Sequence, residues 1–394
     1  MHAKTILAGL LSTEWDFMHF HQVQGLSAAV QAALVGSHLS LSRLALGLKA
    51  STTLRHRIKR MDRLLGNKAI ERHSFGLYAA VARILLRRLT RPILIMDWSD
   101  LTPNQEFQLL RASVVLKGRS ITVYEEVHPL KKLNSHEVHR RFLNRLARLL
   151  PTGCTPIILT DAGFRAPFFR LVEALNWYCI GRVRNRDLVS IDGQWVRPAT
   201  VMAKAKLKAC SLGTLTYVRS NPFERHFVLA RKQSRGRHKT TLRGQRTRSR
   251  HSEKNARRER EPWLLAVSPA LKGYDPEKIV MLYGKRMQIE EEFRDLKNAH
   301  LGAGLSLSRS RSPLRFTILL LIGHLAGLIR RMVGEYAKEK NLEAQYQSTN
   351  RKSRPEVSVI SLGRRLLAAG KLPPWFEPMK ALALIQLQLS QVHQ

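Results

Sequence analysis

Residues 92–97 read Pro-Ile-Leu-Ile-Met-Asp and residues 156–161 read Pro-Ile-Ile-Leu-Thr-Asp. In both stretches apolar side chains follow one another without the alternation of a half-solvated strand, which suits strands covered on both faces of a sheet. Each ends in an aspartate. Between and after them come strand-like runs at Ser113 to Lys117 and Ile121 to Val127, a helix pattern from His136 to Leu150, a second helix from Ala166 to Leu175 and a strand from Trp177 to Val183. This alternation predicts an α/β middle with a mixed sheet.

The flanks differ. Residues 1–85 carry helix-period apolar spacing, with a helix pair at Leu39 to Leu48 and Thr52 to Leu65 around a short turn at Lys49 to Ser51. The second helix displays Arg57 and Lys59 among other cations, so we read 1–85 as a helix-turn-helix-like DNA-binding domain. Residues 86–185 form the first part of the α/β core. Residues 186–268 read as a β-rich insertion, with short strands at Leu188 to Ile191, Thr214 to Val218, His226 to Ala230 and Trp263 to Val267. Inside it, 231–260 holds thirteen Lys and Arg against two Glu, the composition of a basic arm that orders on nucleic acid. Residues 269–335 return to the core through a long helix capped by Asp275, running to Lys297, and 336–394 are helical.

Charge narrows the function. The 394 residues carry 67 Lys and Arg against 29 Asp and Glu, a formal net charge of +38 that calls for a polyanionic partner, nucleic acid first. The three cysteines form no Cys-x-x-Cys pair, which argues against a disulfide framework or a zinc knuckle. The apolar run Ile6 to Leu11 lacks a small-residue cleavage site after it. Phe316 to Ile329 is too short to span a bilayer and reads as a buried helix, with Arg315, Arg330 and Arg331 at its edges. We therefore expect a cytoplasmic protein without a membrane partner.

The chemistry-bearing pattern is Tyr283, Arg286, Glu290 and Lys297. On one continuous helix they fall at roughly 0, 300, 340 and 320°, a single face beside the apolar stripe of Leu282, Ile289, Phe293 and Leu296, while Glu291 and Glu292 turn away. Spacing alone is equally served by an intrahelical Arg286 to Glu290 pair. An acid at a strand end is also often only a turn residue. Together, however, Asp97, Asp161 and Glu290 can meet at one sheet edge and hold Mg²⁺ through ionised oxygen ligands.

At these residues the chain resembles the DDE transposases of bacterial insertion sequences, in particular the hairpin-forming cut-and-paste group (insertion sequence four family) with its Tyr-x2-Arg-x3-Glu-x6-Lys signature. The resemblance implies an RNase H-like mixed-sheet catalytic core, interrupted by the β-rich insertion and flanked by helical N- and C-terminal domains. It implies Asp97, Asp161 and Glu290 as catalytic, metal-binding residues for Mg²⁺, with Mn²⁺ as a substitute. It further implies that Tyr283, Arg286 and Lys297 grip phosphates and that Trp263 stacks on a base flipped from the duplex. The partners implied are terminal inverted repeats, target DNA and a second copy of the chain, in a bacterial, nucleoid-associated setting.

Overall fold

The computed structural model describes residues 3–36, 38–184, 187–233, 245, 247, 249–250, 253, 261–300, 302–347, 357–369 and 376–393. Most of the basic arm expected at 231–260 lies outside the described residues. The chain forms two compact units, Met1–Cys154 with Gln288–Gln394, and Thr155–Met287.

The first unit begins with five helices, α1 (Ala3–Trp15), α2 (Phe20–Val35), α3 (Leu41–Leu46), α4 (Leu54–Leu65) and α5 (Lys68–Leu86). The helix pair expected near the N-terminus is there, but α3 is short and residues 47–53 form a longer connection than the three-residue turn predicted. A meander of β1 (Ile93–Asp100), β2 (Phe107–Val114) and β3 (Ile121–Pro129) follows, paired antiparallel in the order β3-β2-β1. Ile93 to Met96 are all buried, as their unbroken apolar run requires. Next comes α6 (His136–Leu149), which docks on β3 through Arg141 and Arg145, at 3.1 and 2.9 Å from the buried Glu126 carboxylate. Burial alone raises the Glu126 pKa, but hydrogen bonds from His128 and Tyr124 and the two guanidinium charges outweigh it and hold the carboxyl at about 2.

The second strand departs from the sequence reading. It begins at Phe107, well before Ser113, because Gln108 and Arg111 interrupt the apolar pattern and yet are buried, at 2% and 3% exposure. Arg111 stands directly opposite Glu125 on β3 and bonds it through Nε and Nη2 at 2.8 and 2.5 Å, while Tyr78 of α5 donates to the other Glu125 oxygen at 2.7 Å. A polar residue inside a strand hides it from pattern reading when its partner lies on another strand.

The unit is completed by α10 (Met287–Lys297), α11 (Pro313–Glu339), α12 (Val359–Ala368) and α13 (Pro378–Val392). Helix α11 starts where Ser312 and Pro313 predict but continues to Glu339, so by length and composition it could cross a membrane; 78% of its most apolar window is buried inside the protein. Arg330 and Arg331, expected at its edge, are buried within it, at 7% and 3% exposure. Helices α11 and α12 cross with almost no separation. A Cβ on Gly363 would lie 1.9 Å from the Arg330 carbonyl oxygen, and one on Gly334 would lie 2.0 Å from that of Val359.

In the second unit the strand order is β4-β5-β10-β9-β8-β6-β7, with β4 (Ile157–Thr160) parallel to β5 (Tyr178–Val183) and the other pairs antiparallel. Helix α7 (Ala166–Glu173) makes the crossover between β4 and β5. Residues 189–230 hold β6 (Val189–Ile191), β7 (Gln194–Val196), α8 (Pro198–Ala203), β8 (Cys210–Tyr217) and β9 (Phe223–Ala230), and β10 (Trp263–Val267) pairs with β5. Helix α9 (Pro276–Gly284) is capped by the Asp275 side chain, as predicted.

The single helix expected from Asp275 to Lys297 is a correction: α9 ends at Gly284 and α10 starts at Met287. Gly284 is a weak helix former, and the amides of Lys285 and Arg286 bond three residues back, to Leu282 and Tyr283, which tightens and ends the turn. Tyr283 and Arg286 therefore do not share one helix face with Glu290 and Lys297.

Because the atoms that crowd Gly363 are backbone, we expect Gly363→Ala to destabilise the protein by about 1–3 kcal/mol. Denaturant unfolding monitored by circular dichroism checks this, and an unchanged midpoint contradicts the tight crossing.

Candidate active site

In the first unit the site begins midway along β1: the strand expected to close at Asp97 runs on through Trp98, Ser99 and Asp100, which pair with Leu110, Leu109 and Gln108. Asp97 is half-buried and pairs in register with Arg111, so the two side chains leave the same face of the sheet, together with Ser99 two residues on. Helix α10 lies on that face. Gln288 donates to the Leu116 carbonyl at 2.8 Å, Phe293 stacks under the Arg111 guanidinium at 5.0 Å, and Lys297 Nζ donates to Ser99 Oγ at 2.7 Å. Burial lowers the Lys297 pKa, nearby Asp100 and Asp97 oppose that, and Arg111 adds to it. The structure thus brings Lys297 against the part of β1 that carries Asp97.

The backbone around Asp97 is firmly set. Its Oδ1 accepts from the Trp98 amide at 2.8 Å, and the Trp98 indole donates to His139 Nε2 of α6 at 3.0 Å. His139 must be neutral to accept, and burial, aided by neighbouring His136 and His128, pushes its pKa down to about 4.

The three consecutive glutamates of α10 divide differently from the sequence reading. Glu290 is exposed. Glu292, expected to turn away, is turned inward instead: it accepts from Ser120 Oγ at 2.6 Å and from Thr122 Oγ1, and pairs with Arg111 at 3.4 Å. Burial alone raises the Glu292 pKa, but the Arg111 charge and the hydroxyl donors prevail and lower it. Glu291 pairs with Arg119, which also holds Asp295 at 3.1 Å. The buried cation on β2 attracts one carboxylate of the run, an effect that a helical wheel does not contain.

In the second unit Asp161 follows β4 directly and is half-buried. Its Oδ1 accepts from the Gly163 amide at 2.8 Å, an Asx turn that leads into α7. A Cβ at position 163 would come within 2.9 Å of that oxygen, which accounts for the glycine in Thr-Asp-Ala-Gly. Tyr283 is buried edge-on against Trp263, with centroids 4.9 Å apart, and Lys232 sits 5.2 Å from the half-buried Trp263 ring. Two cations that the sequence reading did not single out belong here. Arg182 and Arg184, two apart on and just after β5, both hold Glu261, at 2.9 and 2.7 Å. Burial lowers the Arg182 pKa, and the nearby charges of Arg184 and Arg286 act in the same direction. The Arg-Val-Arg alternation, which puts both on one strand face, was the available signal.

Of the N-terminal pair, Lys59 is exposed, whereas Arg57 turns inward and donates to the carbonyls of Leu46 and Leu48 at 3.5 and 3.3 Å, closing the end of α3. Its role in the fold is thus structural. Among the described residues, no group of three or more His, Cys, Asp or Glu stands close enough to hold a metal ion. Asp97 and Asp161 each accept a backbone amide through Oδ1, and Glu290 is exposed.

Two measurements test this anatomy. Glu292→Ala strips a buried guanidinium of a partner and should cost about 2–4 kcal/mol of stability, whereas Glu290→Ala should change it by less than about 0.5 kcal/mol; denaturant titration of both proteins decides. His139 and His324 are both held near a pKa of about 4 by burial, below the ordinary 6.5. Between those values the unfolded chain binds protons that the folded one does not, so stability falls as pH drops from 6.5 towards 4 and is flat just above 6.5. Unfolding midpoints across this range, with a shallower slope in His139→Gln, are the expected result.

The sequence profile of the family described as "Transposase DDE domain" matches residues 88–326. No curated protein matches the chain. Six chains of solved structures match, among them the piggyBac transposase in its synaptic complex with hairpin DNA, at 10% identity and a TM-score of 0.44, covering 97% of this chain and 82% of that one. The profile spans well over half of the sequence, including Asp97, Asp161, Tyr283, Arg286, Glu290 and Lys297, and the chain therefore belongs to the DDE transposases, enzymes that cut and join DNA and generally use divalent metal ions.

Proposed function

We propose that this enzyme is the transposase of a bacterial insertion sequence, from the hairpin-forming cut-and-paste group that carries the Tyr-x2-Arg-x3-Glu-x6-Lys signature. It recognises the element's terminal inverted repeats, excises the element and joins its 3′ ends to target DNA, acting as a homodimer in the bacterial cytoplasm. The observation that carries this reading is the family match over 88–326, combined with an aspartate within β1, another directly after β4 and the signature residues in their spacing.

Asp97, Asp161 and Glu290 are the residues that would hold Mg²⁺, or Mn²⁺ in its place. When bound, such ions activate a water or 3′-hydroxyl and stabilise the leaving oxygen of an in-line displacement. The remaining work belongs to this chain's own groups. The Trp98 to His139 bond fixes the backbone that aims Asp97, and Ser99 anchors the Lys297 ammonium two residues further along the same strand, where it can meet a phosphate oxygen. Arg286 supplies a guanidinium suited to bidentate phosphate contacts. Trp263 offers an aromatic face for an unstacked base, and Lys59 with the other cations of α4 adds non-specific backbone contacts.

Purified protein should cleave duplexes bearing the element's ends only when Mg²⁺ or Mn²⁺ is added, and should couple the liberated 3′ ends to a second duplex. Asp97→Ala, Asp161→Ala and Glu290→Ala should each lower cleavage by more than about a hundredfold while DNA binding persists. Cleavage by these variants at the wild-type rate defeats the assignment. Cleavage without any joined product makes the chain a nuclease rather than a transposase.

A further inference from the structure

The first unit encloses a second polar feature, a cavity of about 130 Å³ lined by residues from α10, the start of β3, α11 and the first turn of α12. Its carboxylates are all engaged. Glu125 and Glu292 pair with Arg111, and Asp295 pairs with Arg119. The other side of the cavity is different in kind. Arg330 and Arg364 line it together with Ser358 and Ser361, and among the described residues no carboxylate lies within ion-pair distance of either guanidinium.

Arg330 is 7% exposed. Its Nη2 donates to the carbonyls of Ala33 and Gly36, but its Nε has no hydrogen-bond partner. His324, 8% exposed and lining the same cavity, has an Nε2 without a partner. Two buried polar atoms left unsatisfied on residues that line one cavity are rare in a folded protein, because each forfeits its hydration without replacement. A buried cation without a counter-charge is costlier still. Burial, together with the nearby Arg364 charge, pulls the Arg330 guanidinium down to about 10, as expected where positive charge stands uncompensated.

The crossing sets Gly363 of α12 against the Arg330 carbonyl and Val359, in its first turn, against Gly334. The Ser358 cap, whose Oγ accepts from the Ser361 amide at 3.2 Å, lines the cavity at the N-terminus of that helix. Two guanidinium forks, serine hydroxyls and the positive end of a helix are together suited to a tetrahedral oxyanion. The space is large enough for several waters or one phosphate group.

We infer that this cavity is a binding site for a phosphate-class oxyanion, held by Arg330, Arg364 and the Ser358 to Ser361 turn. The site is separate from the acidic residues of the candidate active site and does not depend on their assignment. The phosphate can come from two sources, a DNA backbone or a free phosphate-bearing small molecule, which share the same recognition chemistry.

Equilibrium dialysis of the full chain against radiolabelled inorganic phosphate, at fixed chloride, tests the inference. Wild type should show saturable binding, weakened about tenfold or more in Arg364→Gln. Arg364 makes no hydrogen bond or ion pair among the described residues, so this variant should fold normally, which its unfolding midpoint checks. Ser361→Ala should weaken binding by a smaller factor, and Lys272→Gln, which removes an exposed cation of the other unit, should leave it unchanged. Displacement of the saturable phosphate by a short duplex assigns the site to DNA, and simultaneous binding assigns it to a free phosphate compound. Non-saturable uptake by wild type, or equal binding by wild type, Arg364→Gln and Ser361→Ala, overturns the inference.

Discussion

Arg111 is the constraint around which the first unit is organised. It sits in the middle of β2 at 3% exposure, and a guanidinium in that position is tolerated only if its charge and its donors are all answered. Glu125 answers from the neighbouring strand, Glu292 from α10, and the ring of Phe293 covers its face. Tyr78 then ties Glu125 to α5, and Ser120 and Thr122 complete Glu292. One buried cation thus specifies which helix face meets the sheet. That choice fixes the rotation of α10, and so leaves Glu290 at the surface and Lys297 within reach of Ser99.

The same logic explains what could be read from sequence and what could not. Strands β1, β4, β5 and β10 announce themselves because their neighbours in the chain are apolar on successive positions and both faces are covered. Strand β2 does not, since Gln108 and Arg111 look solvent-facing until Glu125 is placed beside them. The Asp275 cap marks the start of α9 correctly, and Pro313 at the first helical position marks that of α11, because both effects are local. The break at Lys285 and Arg286 was missed because one glycine in a good helical pattern is usually tolerated; here the turn tightens and stops.

For the site, residue types and spacing located the acids, but not their surroundings. Asp161 beside Gly163 was legible from a few consecutive letters, whereas Asp97, which closes the apolar run, sits inside a strand that continues to Asp100. The inward turn of Glu292, the occupation of Arg57 by the α3 carbonyls and the pairing of Arg182 and Arg184 with Glu261 depend on contacts between segments far apart in sequence. Pattern reading treats each charge as solvated or catalytic. The structure adds a third possibility, a charge used internally to hold two elements together.

The interior ion pairs bear on how the outside of the molecule meets solution. Each removes one acid from a set of 29 and one base from a set of 67, so the exterior is left more uniformly positive than the bulk ratio suggests. Such a surface gathers a cloud of small anions from the medium. When a polyelectrolyte of opposite sign displaces that cloud, and sheds its own, the freed ions gain translational entropy. Part of the attraction to nucleic acid is therefore set by the ionic strength around the protein as well as by the groups that touch the ligand.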